Sequence, residues 1–191
     1  DSSAMNPPID FQIISVFSNL RLGESYHRLG EFEKSQLFLE KGYRQFDNQQ
    51  VPLGIKLQLV KVFASNNRAL RYYGKGINLI NKIIPDLDDN TSCSLEKADL
   101  FLELGNLWQD SIYTTSITNE LIDSVTISYD KALSCYRDLG TMNDSIGRDR
   151  IALTVANQGE FLRRISRRGE ALELLNLQIE STTFSTLSLR R

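Results

Sequence analysis

Histidine is nearly absent from this chain: His27 is the only one, alongside two distant cysteines, Cys93 and Cys135, one tryptophan and four prolines. One histidine and two cysteines without a CxxC pair cannot make a Cys/His zinc site, which needs four such ligands, so no metal is expected. The two cysteines read as reduced thiols, a usage that fits the cytoplasm or nucleus. No apolar run approaches the roughly 20 residues of a membrane span, so no membrane partner is expected. The opening residues DSSAMNPPID also lack the charged and apolar regions of a signal peptide. Nor is there an excess of positive charge: 22 Lys and Arg against 24 Asp and Glu leave a net charge of -2. No nucleic acid is expected on bulk charge.

Catalytic signatures are missing too. There is no Gly-rich phosphate loop, nucleophile elbow or HExxH, so neither an enzyme nor a cofactor is expected. His27, the only ordinary neutral-pH base, stands between Tyr26 and Arg28 and reads as a surface or groove histidine, since acid–base sites need a partnered group. Asp86, Asp88 and Asp89 lack the glycine and final glutamate of a calcium loop and read as solvated. Phe101, Trp108 and Tyr129 stand at helical spacings that mark core packing rather than a ligand cage.

What the chain does have is 41% hydrophobic and 24% charged residues, a balance that predicts a folded domain. Its apolar positions recur at three- and four-residue steps, predicting an all-α chain of eight helices in four pairs, about 10–49, 50–85, 94–140 and 147–180. An extended segment, 1–9, precedes them and a tail, 181–191, follows. Asp10 is a candidate N-cap; Gly30 breaks the first pair and DNQQ (47–50) ends it. Pro52 suits the first turn of a third helix, Asn66-Asn67 a turn, and Pro85 a stop. Ser94 suits the N-cap of the fifth helix. The hydroxyl-rich Ser111–Asn119 stretch reads as a loop, Gly140 as a C-cap and TMNDSIG (141–147) as a further loop.

Laying LGESYHRLGEFEKSQLFLEKG beside QGEFLRRISRRGEALELLNLQ (158–178) pairs Gly23 with Gly159, Tyr26 with Leu162, Ser35 with Ala171 and Leu39 with Leu175. A second-helix pattern also links Tyr73, Gly76 and Ile80 with Tyr129, Ala132 and Tyr136. These small and large positions resemble those of the tetratricopeptide repeat, which implies a right-handed α-solenoid of about four irregular antiparallel pairs. "KADLFLELGNLW" followed by "ISYDKALSCY" is similar to the FAT region of PI3-kinase-like kinases of the ATM type. The first hairpin is also similar to the helical arm of separases.

The repeat resemblance implies a protein-interaction module, a scaffold or adaptor that holds a partner segment in a concave groove. The alternative is an internal solenoid segment of a large kinase or separase-like protease, packed against its own chain; the absence of a polar capping helix after Ile179 supports excision from something longer. Leu20 and Glu24 stand where carboxylate-gripping repeats carry lysine and asparagine, so a chaperone-tail adaptor is not implied. The groove expected from the resemblance is formed by Phe17, Leu20, Glu24, His27 and Arg28; by Gln58, Lys61, Ser65 and Arg68; and by Glu160, Arg163 and Arg164. Its mildly basic character suits an acidic peptide. RRISRRGE (163–170) gathers four arginines around Ser166, a candidate phosphosite for a basophilic kinase. The same arginines also complement the negative end of a helix dipole on a solvated face, the reading favoured here.

Overall fold

The computed structural model describes residues 9–45, 51–87, 92–139 and 145–177. The N-terminal segment through Pro8, DNQQ, Asp88–Thr91, Gly140–Asp144 and the tail lie outside them, so the DNQQ break, the Gly140 cap and the tail are not addressed. Among the described residues all regular structure is helical. The helices are α1 (Ile9–Arg28), α2 (Phe32–Arg44), α3 (Leu53–Ala69), α4 (Tyr73–Ile83), α5 (Leu95–Ser111), α6 (Asn119–Asp138) and α7 (Ser145–Arg164), followed by α8 (168–177). Packing gathers them into two compact units, 1–91 and 92–191.

In the first unit α1 pairs with α2, and α3 pairs with α4 while also packing on α1 and α2. The α1–α2 turn closes with Gly30 N–H donating to the His27 carbonyl (3.0 Å) and Glu31 N–H to that of Tyr26 (2.9 Å). Gly30 has φ +76°, the left-handed conformation that glycine adopts without steric cost. The same bond pair closes α3–α4 at Arg71 (φ 63°) and α7–α8 at Ser166 (φ 66°). Counting seven residues back from these turns reaches Gly23, Ala64 and Gly159; nine forward reaches Leu39, Ile80 and Leu175. Three hairpins therefore share one register.

The α5–α6 pair joins that register by contact rather than by count. A methyl on Gly105 would lie 2.6 Å from the Tyr129 ring, as one on Gly23 would lie 2.6 Å from Leu39. Tyr129 thus answers Leu39, not Tyr73, and the spacing is 24 residues instead of 16 because the 112–118 loop is longer than the 29–31 turn and the helical stretches on either side of it are longer too. Thr118, a signal missed in the sequence, caps α6 by accepting from Leu121 N–H at 3.2 Å. Ser94 caps α5 as expected, accepting from Lys97 N–H at 3.1 Å.

Several boundaries differ from expectation. Asp10 lies inside α1, which begins at Ile9. Asn66 and Asn67 form no turn; they are buried in α3, their amides bonded to other helices or to the preceding turn of their own. Ser145–Gly147 is helical rather than loop. Pro85 sits in a 3₁₀ turn, Ile84–Asp86, that continues α4.

The cysteines are not reduced thiols: Cys93 and Cys135 form a disulfide with Cα atoms 5.1 Å apart, fastening the start of α5 to the last turn of α6. Such a bond is more typical of oxidising compartments, so the cysteines no longer argue for cytoplasm or nucleus. No helix among the described residues is long and apolar enough to cross a membrane.

Two stability predictions follow from these contacts. Because Leu39 and Tyr129 are fully buried and cannot swing aside, Gly23→Ala and Gly105→Ala should each lower unfolding free energy by about 1–3 kcal/mol. Gly159→Ala, with Leu175 at 3.6 Å, should be neutral or stabilise by up to about 1 kcal/mol; urea titration compares the three. Reducing the disulfide, whose cysteines are 42 residues apart, should destabilise the second unit by up to about 4 kcal/mol on loop-entropy grounds. Denaturation with and without dithiothreitol measures that loss.

Candidate functional site

The residues expected to form one groove fall in both units, and each set is described in its own. On α1, Leu20 is 1% exposed and belongs to the core with Val16, Leu39, Leu59, Val62 and Phe63. It therefore offers nothing to a partner: the helical period turns it inward, toward α3. Phe17 is exposed, with the Arg21 guanidinium 4.8 Å from its ring centre. Glu24 accepts from Arg21 (2.9 Å) and Arg28 (2.6 Å). Partial burial pushes its pKa up, but the two arginines outweigh burial and lower it.

His27 is a structural joint between hairpins. Its Nδ1 lies 3.1 Å from Asn66 Oδ1 and its Nε2 3.5 Å from Ser65 Oγ on α3. Asn66, fully buried, donates onward to the Phe32 carbonyl and to Gln36 Oε1, both at 3.0 Å. The asparagine thus ties α3 to both helices of the first hairpin, a use of His27 that no local sequence signal announces. Lys61 and Arg68 flank Ser65 at four and three residues on the same α3 face, and both are half-buried.

In the second unit, Glu160, Arg163 and Arg164 do come together. Arg163 donates to both Glu160 oxygens (2.6 and 2.8 Å), and Arg164 Nε to one of them (2.9 Å). Arg164 also donates to the Tyr113 hydroxyl at 2.6 Å, which anchors it to the 112–118 loop. Arg167 pairs with Glu170. The expected cluster of cations is therefore largely paired within itself. Ser166 is exposed in its left-handed turn.

Beside this cluster, a groove of about 480 Å³ opens between α7 and α8. Its floor is Ala156, Gly159, Ala171, Leu172 and Leu175, and its rim Glu160, Arg163 and Arg168. Leu172 is 62% exposed and Leu175 39%, so large apolar side chains stand open to solvent here. Among the described residues Arg168 has no acidic partner. A methyl on Gly159 would first meet Leu175 at 3.6 Å, whereas one on Gly23 would meet Leu39 at 2.6 Å. The equal spacing of Gly23 and Gly159 in the sequence carries no sign of that difference.

No cluster of His, Cys, Asp or Glu suited to a metal occurs among the described residues. Comparison with protein-family profiles, with curated proteins and with solved structures gives no match.

The arginine-clasped glutamate yields a pH prediction. Hydrogen bonds from Arg163 and then Arg164 depress the Glu160 pKa from 4.5 to about 2. A depressed carboxylate adds stability that is present above its unfolded value and is lost as pH falls from about 4.5 toward about 2; for an exposed group the gain is small. Carboxyl-carbon NMR should find the Glu160 midpoint near 2, and Arg163→Gln combined with Arg164→Gln should return it toward 4.5.

Proposed function

We propose that this chain is a non-catalytic interaction module of tetratricopeptide-like helical hairpins, which holds an acidic protein segment and serves as a scaffold or adaptor. The observation that carries this reading is the α7–α8 groove, where exposed leucines lie beside Arg168, which has no acidic partner among the described residues. Apolar floor and cationic rim together favour a segment with both an apolar face and carboxylates. By contrast, the α1 face expected to share the binding has Leu20 buried, His27 bonded to Asn66, and Glu24 held by two arginines. The shared turn and the small residues at Gly23, Gly105 and Gly159 support the repeat reading.

A second reading, an internal solenoid segment of a larger kinase or separase-like protein, is favoured by a different observation. Phe11, Ile14 and Leu22 on α1 and Leu29 in the turn after it are exposed apolar residues, at 63%, 60%, 44% and 71%. Such residues suit packing against further polypeptide.

Probing an array of acidic, neutral and basic amphipathic peptides with the labelled chain tests the proposal. Acidic peptides should be retained preferentially. Arg168→Glu, a change at an exposed position, should weaken their capture by about tenfold, roughly 1.4 kcal/mol, whereas Arg28→Glu in the first unit should leave it unchanged. Equal retention of basic peptides, or indifference to Arg168→Glu, would refute it.

A further inference from the structure

The groove has a counterpart inside the same chain, and that counterpart is covered. Adding 136 to a residue number carries the first hairpin onto the last: Gly23 onto Gly159, Leu39 onto Leu175, Glu24 onto Glu160 and the Gly30 turn onto Ser166. The same shift carries Leu20, Ser35 and Gln36 onto Ala156, Ala171 and Leu172, all in the groove floor, and His27 and Phe32 onto Arg163 and Arg168, on its rim.

In the first hairpin this surface is where α3 packs. Leu59, Val62 and Phe63 share a core with Leu20 and Leu39. Asn66 meets His27 Nδ1, Gln36 Oε1 and the Phe32 carbonyl. These four α3 residues stand at i, i+3, i+4 and i+7, one face of a helix.

Resting on the reading of the chain as an interaction module, we infer that the α7–α8 groove receives an α-helix from a partner protein, seated as α3 is seated on α1 and α2. The partner helix presents apolar residues at i, i+3 and i+4 and a carboxylate at i+7. The carboxylate follows from the rim: where Asn66 meets the side chains of His27 and Gln36, the groove has Arg163 and Leu172, and the Arg168 side chain stands at the position of the Phe32 ring, beside a main-chain carbonyl that both hairpins share. Arg163 already shares Glu160, whereas Arg168 has no acid among the described residues, so one further negative charge is accommodated there.

The α3 sequence, residues 53–69, supplies the probe. Three capped peptides are compared on the full chain by fluorescence anisotropy: the native sequence, Asn66→Asp and Asn66→Lys, each with a photoreactive leucine in place of Val62. The aspartate peptide should bind tightest, about tenfold tighter than the asparagine one, with lysine weakest. Crosslinks should map to 156–175, and Gly159→Leu, which fills the floor, should abolish them. Absence of binding by every peptide overturns the inference, as do crosslinks confined to 16–39 or an affinity order indifferent to position 66. Association of the chain with itself that Gly159→Leu abolishes would overturn it in favour of a second copy. The peptide array separates the two levels: retention of acidic peptides sensitive to Arg168→Glu, without binding of the α3 probes, rejects the α3-like seating alone. Loss of both rejects the interaction reading as well.

Discussion

Two helices joined by a three-residue turn bury only the stripe along which they touch, and the rest of each apolar face needs a third element. In the first unit α3 supplies it. Leu59, Val62 and Phe63 close over Leu20 and Leu39, and the buried Asn66 connects α3 to both earlier helices. Each buried aliphatic side chain contributes about 1.5–3 kcal/mol of transfer free energy, so the apolar contacts dominate stability here. The Asn66 bonds do different work, fixing the register in which α3 lies, because any slip would leave its amide buried and unpaired. Other features of that unit follow from this seating, including the inward turn of Leu20 and the capture of His27.

The second unit adds buried polar bonds to an apolar core that includes Leu100, Leu107, Val125, Ile151 and Phe161. Tyr136 donates to Asp99 at 2.5 Å, and Arg150 approaches the other Asp99 oxygen at 3.4 Å. Asn106 Oδ1 lies within hydrogen-bonding distance of the Tyr129 hydroxyl (3.0 Å) and accepts from Asn157 (2.9 Å). Burial and the Asp99 carboxylate push the Tyr136 phenol well above its ordinary range, which keeps it a donor at any physiological pH. Buried charge is a weak source of net stability, yet these bonds join α5 to α6 and α7 at defined positions along each helix. The disulfide adds a covalent fastening between α5 and α6.

Sequence periodicity was sufficient for the helices because amphipathic spacing is a local property, written in residues such as Ile77, Ile80 and Ile83 on one α4 face. The matched glycines were legible for the same reason: Gly23 and Gly159 stand at equal distances from Leu39 and Leu175. What escaped were properties created by partners distant in sequence. Asn66-Asn67 has turn-like composition, but interhelical hydrogen bonds retain Asn66 in α3, a tertiary override of local preference. Cys93 and Cys135 show no pairing motif, since a helical hairpin brings them together. Leu20 lies among surface-like positions when α1 is taken alone, and it is the packing of α3 that buries it. Arg168 was read within a run of arginines; only the structure separates it from Arg163, Arg164 and Arg167, each of which has found an acid.

Core and groove in this chain differ in whether a third helix covers them, and they differ also in the spacing at one small residue. At Gly23 and Gly105 an added methyl would collide at 2.6 Å, whereas at Gly159 its first contact is Leu175 at 3.6 Å. The first two glycines are required by packing, because large side chains press on the backbone there. The third is required by no such contact, and its lack of a side chain instead leaves space between α7 and α8. An apolar floor so exposed carries a hydration cost that covering would relieve, and a cation at its edge discriminates among covers by charge. The first hairpin thus has α3 over its apolar surface, and among the described residues the last hairpin keeps the corresponding surface open.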